Sequence, residues 1–200
     1  MLSNELVAER IDPRVKRTRA LIADAFSNVL HEKGFQAISV QDITERAGIN
    51  RTTFYLHFTD KYDLLDYNIA QLFRGELEKR SLNLCHFTPE NMRSLIITLA
   101  EFILYSNSHC STNDPQFEAL VEVQVKQQVL ELLQVWSEKK GFGVDAKTYA
   151  VASSWALYGL AQDWAHDKKH SNSEEFAGKA MPILYATMGL EGSDILTAVS

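Results

Sequence analysis

Six polar side chains between Asn50 and His57 offer the clearest chemistry in this sequence, because amide, guanidinium, hydroxyl and imidazole groups hydrogen-bond phosphates and base edges. Apolar residues recur before and among them at helical spacing, so the polar side chains should lie on an outer face. The inward-facing residues are Ile43, Ala47, Ile49, Phe54 and Phe58. The outward-facing residues are Asn50, Arg51, Thr52, Thr53, Tyr55 and His57. The spacing therefore predicts a short helix with a polar face toward solvent.

Two helices joined by a tight turn are needed to hold that face in place. Ser39 and Asn50 each stand where a helix begins, and their side chains can accept a hydrogen bond from an unpaired backbone N–H. Gly48 lies between the two helices, where a left-handed conformation ends the first of them. The segment from Ser39 to Lys61 therefore predicts a helix-turn-helix, whose second helix enters a DNA major groove.

The run from Ile43 to Lys61 resembles the signature of the tetracycline-repressor (TetR) family of transcription regulators. Its landmarks are Ala47-Gly48-Ile49, Thr53-Phe54-Tyr55, His57-Phe58 and Lys61. The resemblance covers roughly the first third of the chain, and the remainder is similar in length, helical pattern and helix order. It implies a homodimeric regulator, most often a ligand-responsive repressor, that binds a palindromic operator in double-stranded DNA.

Matching the sequence to the family motif assigns a set of DNA-binding residues. That set is Ser39, Val40, Gln41, Asn50, Arg51, Thr52, Thr53, Tyr55, His57 and Lys61. The resemblance places Arg51, Thr52 and Tyr55 in the groove and Asn50, Thr53 and His57 nearer to phosphates. Arg51 pairs bidentately with a guanine edge or meets only a phosphate, and the sequence leaves both alternatives open. Lys61 is implied to approach the DNA backbone, whereas Val40 offers no side-chain donor.

The charge distribution is compatible with this reading although the net charge of the chain is −6. The first 65 residues carry nine basic and nine acidic residues, so the whole excess of negative charge lies in the remainder. Arg14, Lys16, Arg17 and Arg19 form a cluster without an intervening acidic residue. This cluster can meet phosphates while the acidic remainder is held away from them.

Proline and glycine positions predict the other elements of an all-α fold with about nine helices. A three-helix DNA-binding domain is expected over residues 1–60, with 1–11 frayed, and a larger effector-binding and dimerisation domain over 61–200. Polar loops are expected at 107–113 and 168–172. The expected helices, besides the helix-turn-helix, run from Pro13 to Lys33, Asp60 to Leu82, Pro89 to Ser106, Pro115 to Lys140, Asp145 to Asp167 and, after a Ser173 cap, Glu174 to Met188.

Aromatic residues in the larger domain are candidates for an effector cavity, because such cavities combine apolar walls with few polar groups. The candidates are Phe73, Phe102, Tyr105, Phe117, Trp155 and Tyr158, and each of them is alternatively an ordinary core residue. Asp163 and His166 can share a helix face and bind a metal, but a solvated pair is favoured because a third ligand is missing from the sequence pattern. No cofactor is expected.

The helices over about 148–167 and 174–188 resemble the dimerisation pair of the family. The first of them is rich in small residues, which would allow close approach of a second copy. These residues are Ala150, Ala152, Ser153, Ser154, Ala156, Gly159 and Ala161. The alternative is that they pack only within one protomer.

Other function classes receive less support from the sequence. The glycine-rich, metal-binding and nucleophile motifs of enzymes are missing, so an enzyme is not expected. The beginning of the sequence lacks an apolar signal core, and a cytoplasmic location is expected. Cys85 and Cys110 are expected to be free thiols rather than a redox pair. The competing hypothesis is a helical small-molecule-binding or adaptor protein that has lost DNA binding.

Overall fold

Eight α-helices make up the computed structural model over the residues that it describes, which are 12–80, 86–109, 115–140 and 145–190. Side chains are described for these ranges except at 107–109, 115–116 and 139–140. The helices are α1 Pro13–Lys33, α2 Val40–Ala47, α3 Arg51–Tyr55, α4 Lys61–Lys79, α5 Pro89–His109, α6 Pro115–Lys140, α7 Ala146–His166 and α8 Ser173–Thr187. The described residues contain no strand, which confirms the all-α prediction with a helix count close to the expected nine.

The first helix begins and ends as the sequence predicts. Asp12 caps α1 by accepting a hydrogen bond from the Arg14 backbone N–H at 2.8 Å, and Pro13 occupies the first helical position. Gly34 ends the helix with a φ of 72°, in the region that favours glycine. Phe26 on this helix is fully buried and meets Phe35 edge to face, with ring centroids 6.3 Å apart. The connection after α1 is therefore anchored in the core.

The helix-turn-helix consists of α2 and α3, and local hydrogen bonds define both of its helix starts. Ser39 and Asp42 form a capping box: Ser39 Oγ accepts from Asp42 N at 3.2 Å, and Ser39 N donates to Asp42 Oδ2 at 2.9 Å. Gly48 ends α2 in the left-handed conformation, with a φ of 65°. Asn50 caps α3, because its Oδ1 accepts from the Thr53 backbone N–H at 2.7 Å.

The fourth helix connects this three-helix unit to the rest of the chain. Its Asp60 cap accepts hydrogen bonds from the backbone N–H groups of Tyr62 and Asp63. It packs against α1 on one side and against α5 and α6 on the other. The Asn68 side-chain amide donates to Ser27 Oγ at 3.0 Å, which ties α4 to α1. A shift of α4 would therefore be felt by both parts of the molecule.

The larger part of the molecule is built from α5, α6, α7 and α8. The α7 helix packs against each of the other three, and α8 also packs against α5. Ser153 Oγ and Thr187 Oγ1 lie 3.0 Å apart and join α7 to α8. Trp164 Nε1 donates to the Ser171 carbonyl at 3.0 Å, which fixes the connection between these two helices. Five of the six candidate effector residues and both candidate dimerisation helices therefore belong to one packed helical unit, while Phe73 lies on α4.

The predicted boundaries differ from the structure most clearly at two helix ends and one helix cap. Residues 107–109 lie in α5, so the loop expected from residue 107 begins later. The α4 helix ends at Lys79 and not at Leu82. Asn172, and not Ser173, caps α8: its Oδ1 accepts from the Glu175 N–H at 2.8 Å, while Ser173 Oγ donates to Glu101 Oε1 at 2.6 Å. The Ser173 side chain thus takes a partner 72 residues away instead of the helix end.

Two of the predictions concern residues outside the ranges that the structure describes. The fraying predicted for residues 1–11 and both cysteines, Cys85 and Cys110, lie outside the described residues. Among the described helices, none is long and apolar enough to cross a membrane.

Candidate nucleic-acid interface and effector cavities

The outer face of α3 is positioned by two aromatic side chains beneath it. Phe54 is fully buried and Phe58 nearly so, with their ring centroids 5.9 Å apart. Because α3 has only five residues, these rings orient it more than its own backbone hydrogen bonds do. Arg51, Thr52 and Tyr55 are exposed on the opposite side. The structure thus presents to solvent the three side chains that the family motif places in the groove.

Two of the three remaining polar residues around α3 are less accessible. Thr53 and His57 are half-buried, and Asn50 is exposed. The Oδ1 atom of Asn50 accepts hydrogen bonds from both the N–H and the hydroxyl of Thr53, so a further bond from this amide to DNA would be donated by its nitrogen. These three residues border the α3 face, which fits a contact with phosphates better than one with base edges.

A chain of hydrogen bonds links Arg51 to the outer face of α2. Arg51 Nη2 donates to Gln41 Oε1 at 2.9 Å, and Gln41 Nε2 donates to Glu45 Oε1 at 2.8 Å. The guanidinium has five N–H donors, so this bond leaves most of them for a nucleic acid. Sequence reasoning named Arg51 and Gln41 but missed Glu45, which the i, i+4 spacing from Gln41 could have indicated.

Lys61 is directed into the protein. Its Nζ donates to the backbone carbonyls of Phe35, Gln36 and Ile38 at 3.0 to 3.3 Å, and it lies 4.8 Å from the centroid of the Phe35 ring. An ammonium group has three N–H donors, and three internal acceptors account for all of them. The ammonium of Lys61 therefore closes the connection between α1 and α2, and a phosphate could reach it only by replacing one of these bonds.

The polar side chains at the start of α2 also form hydrogen bonds and an ion pair within the protein. Asp42 forms an ion pair with Lys33 at 2.5 Å in addition to the capping box. Hydrogen bonds from Lys33 and Ser39 hold the pKa of Asp42 well below its usual value. Val40 is half-buried and packs against the core. Of the candidates before Gly48, Ser39 and Gln41 are exposed, but the Ser39 hydroxyl already donates to Asp42 Oδ2 at 2.6 Å.

The basic cluster in α1 divides into exposed and engaged members. Arg14, Lys16 and Arg17 are exposed. Arg19 is half-buried: its guanidinium lies 5.4 Å from the ring centroids of both Phe58 and Tyr67. Its Nη2 also donates to the His57 carbonyl at 3.3 Å. Arg19 therefore supports the carboxyl end of α3, and the other three residues supply the accessible positive charge.

The six aromatic effector candidates do not lie around one common cavity. Phe102 and Tyr105 line a cavity of about 330 Å³ between α4 and α5, hereafter the α4–α5 cavity. Trp155 and Tyr158 line an open groove of about 460 Å³ between α6 and α7, the α6–α7 groove.

The other two candidates are core residues in the structure. Phe73 lies under Phe102, with ring centroids 5.4 Å apart. Phe117 packs against Phe35 of the three-helix unit, with a centroid distance of 5.6 Å. Both are nearly inaccessible to solvent, so each has the alternative role of an ordinary core residue.

The α6–α7 groove is already occupied by a side chain of the protein. Lys126 Nζ lies 4.0 Å from the Trp155 ring centroid and 4.8 Å from that of Tyr158, and it also pairs with Glu122. Burial, together with the negative charge of Glu122, raises the pKa of the Tyr158 hydroxyl. Lys126 covers the aromatic faces that a ligand would need, so the groove is a poor cavity for a small molecule.

A metal site receives no support from this groove. Asp163 and His166 both line it, as the i, i+3 spacing predicted. The described residues contain no group of three or more His, Cys, Asp or Glu side chains that could hold an ion. His166 Nδ1 lies 2.8 Å from the Gln162 carbonyl, which is an ordinary helical contact.

The outer surfaces of α7 and α8 carry small and apolar residues. Ala152, Trp155 and Gly159 are exposed on α7, and Pro182 and Ile183 are exposed on α8. The small residues on the inner side of α7 serve a different purpose. The buried ones, which pack within the protomer, are Ala150, Ser153, Ser154 and Ala161. The tertiary structure thus splits the small-residue set between the protomer core and the exposed surface.

A three-helix unit with a helix-turn-helix, joined by one long helix to a larger helical unit, defines a class of two-part, all-α DNA-binding regulators. Residues 22–67 match the family described as bacterial regulatory proteins, tetR family. The amino-terminal part of the chain is thus similar to this family, and the resemblance recognised from the motif is confirmed.

One curated relative matches the amino-terminal part of the chain, and solved structures share its fold. The HTH-type transcriptional regulator YxbF of Bacillus subtilis is 45% identical over 64 residues, which are 32% of this chain and only 17% of that protein. A TetR-family regulator from Streptomyces coelicolor shares the fold with a TM-score of 0.60 at 18% identity, covering 91% of this chain and 99% of the other. Thermus thermophilus FadR, a transcriptional repressor in complex with lauroyl-CoA, has a TM-score of 0.52 at 21% identity, covering 85% and 94%.

Proposed function

We propose that this protein is a ligand-responsive transcriptional repressor of the cytoplasm that binds a palindromic operator as a homodimer. The observation that carries the proposal is the exposed face of α3, where Arg51, Thr52 and Tyr55 stand on a helix fixed from below by Phe54 and Phe58. Elements of this kind read sequence from the major groove.

The DNA contacts divide into two kinds in this proposal. Arg51 reads a guanine edge, held toward it by Gln41, and Thr52 and Tyr55 meet neighbouring bases or sugars. Phosphates are bound by the border of the same face, through Asn50, Thr53 and His57, and by the exposed cations of α1. Lys61 contributes indirectly, because it fixes the connection that precedes α2.

The outer surfaces of α7 and α8 support the proposed homodimer. Two copies meeting about a two-fold axis would cover Trp155 and Ile183, which a monomer leaves 63% and 47% exposed. The two α3 helices would then address half-sites about one helical turn apart, roughly 34 to 36 Å. We place the boundary between the DNA-binding and effector domains at residue 60, immediately before α4.

Effector binding in the larger domain would regulate the protein by shifting α4. This helix packs on α1 and also on α5 and α6, so it is the element common to both domains. A ligand that binds unequally to two positions of α4 would change the separation of the recognition helices by shifting the population. The lauroyl-CoA complex of Thermus thermophilus FadR supports a small-molecule effector in general, although not that particular ligand.

The decisive experiment is a binding titration against the DNA upstream of the protein's own gene at two salt concentrations. Tight binding that weakens with salt is expected, because phosphate contacts release counterions. An Arg51→Ala, Tyr55→Ala double variant should lose specific binding, whereas Lys168→Ala, which removes an exposed cation in the loop after α7, should retain it.

Failure with that DNA fragment would be followed by selection from a random DNA pool. Enrichment of a palindromic site would support the proposal with a distant operator. If the pool yields no specific site, the protein is not a DNA-binding regulator, and the hypothesis of a small-molecule-binding or adaptor protein replaces it.

A further inference from the structure

Glu45 lies outside the set of DNA-binding residues that the family motif assigns, yet side-chain hydrogen bonds join it to that set. Its Oε1 accepts from Gln41 Nε2 at 2.8 Å, one helical turn earlier on α2. Gln41 Oε1 in turn accepts from Arg51 Nη2 at 2.9 Å, across the turn between α2 and α3. All three side chains are exposed. They form a row of hydrogen bonds that ends at the outer face of α3, hereafter the polar row.

The chemistry of its two ends gives the polar row a fixed direction. An ionised carboxylate only accepts hydrogen bonds, and a guanidinium only donates them. The side-chain amide of Gln41 therefore serves both neighbours in one orientation only, with its NH2 group toward Glu45 and its oxygen toward Arg51. Without Glu45 the amide could turn over, and its NH2 group would then face the donors of Arg51. Glu45 thus keeps an acceptor in place for the guanidinium.

The other charged side chains of α2 are paired with α1. Arg46 Nη2 donates to both carboxylate oxygens of Glu32, at 2.9 and 2.6 Å. Asp42 forms its ion pair with Lys33 at 2.5 Å. Both pairs hold α2 against the end of α1, on which Glu32 and Lys33 lie. Glu45 is therefore the carboxylate of α2 that is linked toward α3.

The contribution of these hydrogen bonds changes when DNA binds. In the free protein water competes for each exposed group, so the polar row adds little to stability. A base pair facing α3 displaces that water, and any donor or acceptor that is then left unpaired is unfavourable. One of the five N–H donors of Arg51 bonds Gln41, and the others suffice for the two bonds to a guanine edge. The polar row therefore acts in the complex, where it holds the guanidinium in one direction.

We propose that Glu45 is a positioning residue for base reading: through Gln41 it orients Arg51 toward a guanine in each half-site, without touching DNA itself. The inference rests on the proposed function, since it concerns the same face of α3. Substituting Glu45 should change how strongly guanine is preferred at the position of Arg51, and it should leave the preferences at the other operator positions unchanged.

A double-mutant cycle on the selected operator tests the proposal. The guanine is first identified as the base at which Arg51→Ala abolishes discrimination. The ratio of affinities for guanine and adenine at that position should be roughly 10- to 100-fold for the wild type. Glu45→Ala should lower this ratio about fivefold, the usual effect of one hydrogen bond. Gln41→Ala should lower it at least as much, and Glu45→Ala should have no further effect in the Gln41→Ala background.

Two further variants separate positioning from charge. Glu45→Gln keeps an oxygen that accepts from Gln41, so it should retain most of the discrimination although the charge is gone. Asp24→Ala removes an exposed carboxylate of α1 outside the polar row, and it should discriminate like the wild type. Affinity for nonspecific DNA should not fall in any Glu45 variant, because none of them removes a phosphate contact. Thermal melting verifies that each variant is folded.

The outcomes distinguish the positioning role from the proposed function. If the wild type selects no specific site, the regulator and the positioning role both fail. If it selects a site and Glu45→Ala discriminates like the wild type, only the positioning role is refuted. The same holds if Arg51→Ala changes discrimination at no position. An effect of Glu45→Ala that persists in the Gln41→Ala background would indicate a direct contact between Glu45 and a base, and it would also overturn the proposal.

Discussion

The outer faces of α3 and α7 each present one exposed aromatic side chain, Tyr55 at 57% and Trp155 at 63%, in very different surroundings. Tyr55 shares its face with the polar side chains of Arg51 and Thr52. Trp155 has the small residues Ala152 and Gly159 on either side along its helix, and Lys126 covers its ring. Tyr55 and Trp155 are similarly exposed, but the first face carries the polar donors that the proposed DNA contact needs, and the second is the mainly apolar surface of the proposed dimer.

The two faces also differ in what supports them. The α3 helix has five residues and depends on Phe54 and Phe58, while α7 has 21 residues and is anchored along its length by buried side chains. A short helix held by few contacts is sensitive to single substitutions in its support. The proposed DNA interface should therefore be more fragile than the proposed dimer surface.

The largest expected effect comes from removing the support of α3. Replacing Phe54 with alanine should lower the free energy of unfolding by about 3–5 kcal/mol, because a fully buried ring would leave a cavity. Urea denaturation followed by circular dichroism measures this loss. The matched control is Tyr55→Ala on the exposed side of the same helix, expected to change stability by no more than about 0.5 kcal/mol. Equal effects of both substitutions would show that α3 is not fixed from beneath.

A charge on the outer face of α8 should disrupt self-association. Ile183→Asp would place unpaired carboxylates in a dimer interface, and it should weaken the dimer by roughly two orders of magnitude. Sedimentation equilibrium gives the dissociation constant. Leu21→Asp on α1 is the control, since Leu21 is equally exposed at 47% but lies in the DNA-binding unit. A dimer unaffected by Ile183→Asp would place the interface elsewhere.

A substitution of Lys61 distinguishes a structural role of this residue from a role in DNA contact. Lys61→Met retains the apolar stem but removes the three hydrogen bonds to backbone carbonyls. We expect a stability loss of about 1.5–3 kcal/mol, the usual range for a hydrogen bond to a charged group. The slope of DNA affinity against salt should stay unchanged, because the ammonium does not reach a phosphate. A slope reduced by about one would instead identify Lys61 as a phosphate contact.

The smallest expected effect concerns pH and the start of α2. Because Lys33 and Ser39 lower the pKa of Asp42, its ionised form stabilises the fold above its unfolded pKa of about 3.9. That contribution is lost as the pH falls below this value toward the lower folded pKa. Asp42→Asn lacks the charge at every pH, so the melting temperatures of variant and wild type should converge as the medium is acidified. A constant difference from pH 6 to pH 2 would contradict the assignment.

The helix-turn-helix was predictable because its determinants are local in sequence. Ser39 and Asn50 each bond a backbone N–H three residues later, and Gly48 adopts its conformation within a single turn. The identity of these side chains is nearly sufficient to specify such bonds. Apolar spacing likewise placed Phe54 inside and Arg51 outside.

Long-range partners decided where prediction and structure differ. Asn172 and Ser173 are both good capping residues, and the choice between them is associated with the hydrogen bond from Ser173 to Glu101. The ammonium of Lys61 turned inward because carbonyls 23 to 26 residues earlier converge on it. Neither contact can be predicted from the residues that neighbour Ser173 or Lys61 in the sequence.

The aromatic residues of the larger domain show the same division. Their helical spacing in the sequence indicated that Phe73, Phe102, Phe117 and Trp155 belong to an all-α unit, but spacing fixes only the face of each helix. Whether a face meets a core, a cavity or solvent depends on which helices pack against it, and these lie far apart in the chain. The sequence by itself thus determined the helices, the turn and the exposed face of α3 through short-range hydrogen bonds and periodicity. Only the tertiary structure separated the α4–α5 cavity from the core and from the exposed surface of α7 and α8.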